Sequence, residues 1–318
     1  MARRALGPAR LQLVNATRAA LNASDTALLV ACSGGADSLA LASAASVVAQ
    51  RQSRRIAAVV VDHGLQSGSA AVAEGAAVQL EALGVEDVRV LSVSVGDSGG
   101  PEAAAREARY LALGAEAART GSTVLLGHTL DDQAETVLLG LARGSGTRSL
   151  AGMARRVGPF IRPLLGVPRA VTEAACLELG MTPWRDPHNA DPTYARTRVR
   201  HRVLPMLEGE LGPGIATALA RTAGLARDDA DLLDRLAAEA HQRVLFAGTL
   251  DCEGLAGLPR ALRGRVIRDW LGVNGASDLG QAHVAAIEAL VVDWHGQGAI
   301  DVPGLAVRRV AGRLTVSA

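Results

Sequence analysis

Apolar positions along the chain recur in two rhythms that take turns. Short strand-like runs fill residues 28–32, 56–61, 88–95 and 123–126. Between them, apolar residues return at helical spacing over 39–48, over 70–83 and along the alanine-rich stretch after Pro101. The run Leu28-Leu29-Val30-Ala31 has no polar interruption, which suits a strand buried on both faces of a parallel sheet. Strand and helix patterns alternating in this way predict βαβ units, and hence an α/β fold. An amphipathic helix over 9–24 leads into the first strand, and Gly99-Gly100-Pro101 breaks the chain before the alanine-rich helix.

Past residue 211 the rhythm changes. Residues 212–236 form one long amphipathic pattern, acidic toward its end at Asp228, Asp229, Asp231 and Asp234. Helices over 258–271 and 283–294 follow, with short strands at 300–302, 305–307 and 314–316. The expected organisation is a parallel-sheet domain over 1–211, a linker helix over 212–240 and a small C-terminal α+β domain over 241–318. A length of 318 residues accommodates that division.

Charge alters this picture little. Basic and acidic residues number 33 and 32, and a net charge of +1 neither advertises a nucleic-acid partner nor excludes one, because clustering on one face decides that. Cys32, Cys176 and Cys252 lie far apart and form no C-x-x-C pair, so neither a zinc ribbon nor a disulfide framework is expected. No apolar signal core follows Met1-Ala2-Arg3-Arg4, and no stretch of about 18 apolar residues occurs. A cytoplasmic protein without a membrane partner is the expectation.

Candidate chemistry gathers where strands end. The first strand runs into Ser33-Gly34-Gly35-Ala36-Asp37-Ser38 and then a helix. Gly34 and Gly35 let the backbone turn its N–H groups against a ligand, at the positive end of that helix, where phosphate is favoured. The Ser33 and Ser38 hydroxyls add donors. Asp37 would repel phosphate unless a divalent cation lay between them, and a hard carboxylate oxygen suits Mg²⁺. A Walker loop needs a Lys, and the chain contains none. The second strand ends in Asp62-His63-Gly64, placed to meet a nucleotide in the crevice of an open sheet, although a plain turn uses the same residues.

The strand at 123–126 gives way to a helix that opens with Asp131, Asp132 and Glu135. Dipole complementarity accounts for acids at a helix start. Asp132 and Glu135 at i,i+3 also share a face, and paired carboxylates can hold Mg²⁺, bind a cationic substrate or take a proton from an amine. Glu102 and Arg106 stand at i,i+4, the spacing of a surface ion pair. The glycine-rich stretch 140–153 reads as a flexible loop, and 160–165 as the lead into a further helix. Around Tyr194, residues Arg196, Arg198, Arg200 and Arg202 make either a solvated basic patch or an RNA-contacting one.

Taken together and in order, these stretches resemble one family. The motifs are the SGGADS loop, Val61-Asp62-His63-Gly64-Leu65, Glu102 with Ala105-Arg106-x-x-Arg109-Tyr110, and Leu130 through Thr136. They continue with Arg143-Gly144-Ser145-Gly146, Arg162-Pro163-Leu164 and the run from Trp184 to Arg200. The set is similar to the tRNA(Ile)-lysidine synthetases of the PP-loop ATP pyrophosphatase superfamily, most strongly over 28–205. The resemblance implies an adenine nucleotide α-hydrolase-like, Rossmann-like domain. Ser33 to Ser38 with Asp62 and His63 would hold ATP, and Asp37 would hold Mg²⁺. It also implies adenylation of the wobble cytidine of tRNA(Ile) with anticodon CAU, followed by attack of L-lysine. Asp132 and Glu135 would then receive the lysine, and Arg106 and Arg196 would hold phosphate or developing negative charge. Thr129, Gln66 and Thr197 depart from that family's usual residues. A PP-loop ligase using ammonia and a non-catalytic RNA-binding module stay open as alternatives, and a homodimer is compatible with the pattern.

Overall fold

Helix α1 (Pro8–Ala20) leads into β1 (Ala27–Cys32), and a regular alternation follows: α2 (Ala36–Gln52), β2 (Arg55–Asp62), α3 (Ser69–Ala82), β3 (Asp87–Ser92), α4 (Pro101–Thr120), β4 (Thr123–Leu126) and α5 (Leu130–Ala142). Next come a helical turn α6 (Thr147–Leu150), two short strands β5 (Arg156–Val157) and β6 (Phe160–Ile161), and α7 (Arg169–Leu179). The computed structural model describes residues 6–62, 64, 68–93, 96, 101–144 and 146–317, and gives only the backbone of 101–103 and 188–189.

These strands form a six-stranded sheet in the order β3-β2-β1-β4-β6-β5, parallel except where β5 pairs with β6. The α/β expectation holds. Both faces of β1 are buried: Leu28, Val30 and Cys32 pack into one core with α1 and α2, while Leu29 joins Leu113 and Ala117 of α4 in another. Small residues fill the buried side of α2, so the helix lies close on the sheet. Because β1 pairs with β2 on one side and β4 on the other, the winding reverses between β1 and β4. A crevice opens at such a switch point, beyond the carboxyl ends of the strands.

Three expectations shift here. The run at 88–95 yields β3 over Asp87–Ser92, and residues 94 and 95 lie outside the described residues. Residues 160–165 begin as a strand of a tight hairpin, with Arg156 opposite Ile161, before α7 starts at Arg169. The end of the expected flexible loop is tied down: the Gln133 amide donates to the Met153 carbonyl at 3.1 Å and accepts the Met153 N–H at 2.8 Å.

A 3₁₀ turn (Pro187–Ala190), the short α8 (Ala195–Arg198) and a π-helical turn (Val199–Val203) run into α9 (Leu204–Leu211). Pro205, at the start of α9, lacks an N–H and crowds the carbonyl of the preceding turn, a usual cause of such a bulge. The long amphipathic pattern is α10 (Ile215–Val244), which continues past the expected end because Ala237, Ala240 and Val244 are buried in a further core.

The chain divides into two compact units, Met1–Leu225 and Ala226–Ala318. The second contains β7 (Leu245–Phe246), β8 (Thr249–Asp251), α11 (Cys252–Ala256), α12 (Arg260–Val273), α13 (Gln281–Val292), β9 (Ile300–Val302), β10 (Leu305–Val310) and β11 (Arg313–Ser317). Its five strands form an antiparallel sheet in the order β7-β8-β11-β10-β9. Trp270, 1 % exposed, anchors the core and donates its indole N–H to the Gly248 carbonyl at 2.9 Å. Among the described residues, no helix is long and apolar enough to cross a membrane.

Candidate active site

The loop after β1 is shaped from within. Ser38 Oγ donates to the Gly35 carbonyl at 2.9 Å and accepts the Ser33 N–H at 3.2 Å, which folds the loop onto the first turn of α2. Gly34 has a φ of +79°, a left-handed conformation that glycine adopts without strain, and its carbonyl accepts the Trp184 N–H at 2.9 Å. Gly35 caps α2 without a side-chain bond, so the first amide N–H groups, including those of Ala36 and Asp37, stay available to an anion. On the facing β4–α5 turn, a Cβ at Gly127 would stand 3.1 Å from the backbone of Asp37 and Ser38. Glycine there lets the two turns close on each other.

Thr129 caps α5 and forms a reciprocal box with Asp132. Asp132 Oδ2 accepts the Thr129 backbone N–H at 2.8 Å and its hydroxyl at 2.9 Å. The other oxygen, Oδ1, takes Arg169 Nη2 at 2.7 Å and Arg200 Nη2 at 3.1 Å. Glu135, one turn on, is completely buried. It accepts Arg200 Nε at 2.7 Å and Nη2 at 3.0 Å, and faces Arg169 Nη1 at 3.4 Å and Arg196 Nε at 3.7 Å. The pair does share a face, and the side chains that meet it are arginines of the same chain.

Arg169 joins this pair to the loop. Its Nε reaches Asp37 Oδ2 at 3.3 Å, while Thr172, one helical turn on, hydrogen-bonds the other Asp37 oxygen. Burial raises the Asp37 pKa, with Thr172 and Arg169 working against it. Burial also opposes the charged form of Asp132, yet Arg169, the Thr129 N–H, His128 and Arg200 together hold that carboxyl below its ordinary value. Although burial disfavours its charge, Arg169 stays firmly protonated because Asp132, Asp37 and Glu135 surround it.

The remaining expected residues fall into three groups. Asp62 ends β2 at the same sheet edge and accepts the Gly64 N–H at 2.9 Å, whereas His63 lies outside the described residues. Arg196 donates to Thr136 at 3.1 Å and so belongs with the acid pair. Arg106 does not: it lies over the Tyr110 ring, 4.9 Å from the centroid, and the Glu102 side chain is outside the described ones. The basic run at 196–202 is not a single patch either, since Arg200 is committed to Glu135. Arg169 and Thr172 were not expected at all. A Pro-Arg pair opening a helix is an ordinary sequence, and only the fold brings α7 across the crevice.

Mg²⁺ is usually held by one or two carboxylates together with phosphates and water. Asp37 offers such an oxygen in the first turn of α2, beside the loop amides. Among the described residues no three His, Cys, Asp or Glu side chains converge into a protein-only metal set. The donor set therefore fits a cation that arrives with a phosphate ligand.

Residues 10–207 match the family described as PP-loop domain, and residues 250–315 match the TilS substrate binding domain. The tRNA(Ile)-lysidine synthase of Thermobifida fusca is 55% identical over 296 residues, spanning 92% of this chain and 91% of that protein. The tRNA(Ile)-lysidine synthase of Streptomyces coelicolor is 53% identical over 297 residues, spanning 91% and 84%. Among solved structures, a U34-tRNA thiolase from Methanococcus maripaludis superposes with a TM-score of 0.56 at 17% identity, over 69% of this chain and 80% of that one. That last likeness is one of fold.

Proposed function

The chain belongs to the family of the tRNA(Ile)-lysidine synthases, and from that premise we propose that it joins L-lysine to carbon 2 of the wobble cytidine of tRNA(Ile) with anticodon CAU. ATP first adenylates the carbon-2 oxygen, and pyrophosphate leaves. The lysine ε-amine then displaces AMP, so a C–N bond forms where a C–O bond breaks. The observation that carries this reading is the single ion-pair network in which Arg169 links Asp37 of the glycine loop to Asp132 and Glu135. A phosphate-gripping loop and an amine-binding acid pair are thereby within reach of one side chain.

In this reading the amides of the loop, with Ser33 and Ser38, hold the phosphates of ATP at the start of α2, and Asp62 faces the nucleotide. Asp37 would hold Mg²⁺, which neutralises pyrophosphate charge when bound. Lysine has a reference pKa of about 10.4, so its ε-amine arrives as an ammonium and must lose a proton before it attacks. Asp132 and Glu135 draw in that ammonium, exchanging a guanidinium contact for it, and Glu135 accepts the proton. Arg196, beside Glu135, stabilises negative charge on the departing AMP.

Mixing the protein with ATP, Mg²⁺ and tRNA(Ile), with and without lysine, and measuring AMP tests the reading. Lysine-dependent AMP release with lysine retained on the tRNA is expected. AMP release driven by ammonia and indifferent to lysine would overturn it.

A further inference from the structure

Thr129 stands at the turn from β4 into α5, and its hydroxyl serves a carboxylate more closely than it serves the helix. The residue is completely buried, and a buried hydroxyl needs an acceptor. As a helix cap it is weak: the Asp132 N–H reaches Thr129 Oγ1 only at 3.5 Å, longer than an ordinary N–H···O bond. The hydroxyl instead donates to Asp132 Oδ2 at 2.9 Å, and the Thr129 backbone N–H donates to the same oxygen at 2.8 Å. A capping box usually closes through Glu or Gln. Asp132 is one methylene shorter, which leaves its carboxylate less freedom to swing. The acid beside it has a different task, since Asp131 Oδ2 accepts the Arg169 N–H at 2.8 Å and so caps α7.

Both donors on Oδ2 belong to one buried residue and cannot swing away. They fix the plane of the carboxylate and aim Oδ1 at Arg169 and Arg200, 2.7 and 3.1 Å away, the two guanidinium groups that also meet Glu135. Glu135 is held differently. Among the described residues, its hydrogen bonds come from arginine side chains alone. A proton on Asp132 Oδ2 would collide with two fixed donors, whereas the side chains around Glu135 can shift to admit one. His128, the residue before Thr129, is pushed down to about 3, chiefly by burial and then by Arg162, Arg109 and Arg106, while Asp132 opposes.

We propose that Thr129 is a positioning residue: by holding Oδ2 it presents Oδ1 of Asp132 to the lysine ε-ammonium, so that Asp132 binds the amine as an anion and Glu135 alone takes its proton. The inference rests on the proposed function and divides the labour of its acid pair. The proton passes from the ε-nitrogen to a Glu135 oxygen. The freed lone pair forms the bond to carbon 2, and the electrons of the broken C–O bond leave with AMP. Hydrogen bonds to an ionised oxygen are short and about twice as strong as neutral ones, which is why one hydroxyl can hold the carboxylate in place.

Three variants separate positioning from helix capping. Thr129→Val keeps the shape and loses the hydroxyl. Thr129→Gly also loses it, but glycine caps a helix nearly as well as threonine, so α5 keeps its start. Thr129→Ser keeps the donor. Each is assayed for lysine-dependent AMP release with ATP and tRNA(Ile), beside its melting temperature. Positioning predicts a lysine KM raised about tenfold in both Val and Gly, with kcat within about twofold, and a Ser variant close to wild type. An unchanged KM in the Gly variant, with the loss confined to Val and following its melting temperature, would make Thr129 a cap and overturn the proposal. A fallen kcat at unchanged KM would place Thr129 in the proton step and overturn it as well. Failure of the proposed function would appear differently, as wild-type protein that releases no AMP in response to lysine.

Discussion

Arg169 Nη2 stands 2.7 Å from Asp132 Oδ1, and the same guanidinium reaches Asp37 at 3.3 Å. The side chain is 17% exposed and Glu135 is fully buried, so solvent screens little of this network. Arg169→Ala would leave buried carboxylates with one fewer counter-charge, a class of change that costs about 3 kcal/mol. Urea denaturation should show that loss. Millimolar Mg²⁺ should raise the variant's midpoint more than the wild type's, since a cation can then take the place of the guanidinium beside Asp37. A variant as stable as wild type would mean that the network contributes no net stability.

Asp37→Asn tests the loop. The amide keeps its size and can still accept from Thr172. It loses the charge that Mg²⁺ requires, so pyrophosphate release should fall by about 10²–10³ with the fold intact. Release at the wild-type rate would remove Asp37 from the adenylation step.

Glu135→Gln separates the two half-reactions. The neutral amide neither attracts an ammonium nor accepts its proton, so lysine transfer should drop by about 10²–10⁴. ATP and tRNA binding should persist, and adenylated tRNA should accumulate or hydrolyse. Product analysis after a single turnover reads this directly, and an unchanged lysidine yield at saturating lysine refutes the assignment.

His128 gives a pH dependence with a definite sign. Its folded pKa of about 3 lies below the ordinary 6.5, so the unfolded chain binds the extra proton between those values. Its contribution to stability is therefore complete above about pH 6.5 and is lost as pH falls, by up to about 1.4 kcal/mol per unit. Urea midpoints at pH 7 and pH 5 should differ for wild type and converge for His128→Asn. Equal pH dependence in both would show that His128 keeps an ordinary pKa.

Much of this was readable from local signals. An uninterrupted apolar run followed by Ser-Gly-Gly marks β1 and its loop, because strand burial and a left-handed Gly34 are encoded within a few residues. Asp132 and Glu135 share a face by helical spacing alone. Arg169 and Thr172, and the contact of Arg162 with Tyr110, were invisible for the converse reason. Their partners are 132, 135 and 52 residues away respectively, at Asp37, Asp37 and Tyr110, and only the sheet topology brings them together. The hairpin of β5 and β6 escaped notice because two-residue strands have no period to detect.

The basic run at 196–202 shows how a helix sorts charges that a linear reading pools. Residues four apart share a face, so Arg196 and Arg200 form one pair and Arg198 and Arg202 another. The first pair turns inward to Glu135. The second is exposed, beside Ala190 and Pro192 in a shallow depression that also includes His201. Among the described residues, Arg198 bonds through Nη1, to the Pro192 and Thr193 carbonyls at 2.7 Å each. Those bonds fix the side chain and leave Nε and Nη2 for a phosphate. Replacing Arg198 and Arg202 together with Ala should weaken tRNA binding and shallow its salt dependence by about two phosphate contacts. ATP and lysine affinities should hardly move, because neither residue touches the acid pair. Arg200→Ala should do the reverse, impairing lysine transfer with little change in the salt slope. Titrating tRNA against salt for the two variants separates these roles. An unchanged slope in the double variant would place the grip on the RNA elsewhere in the protein.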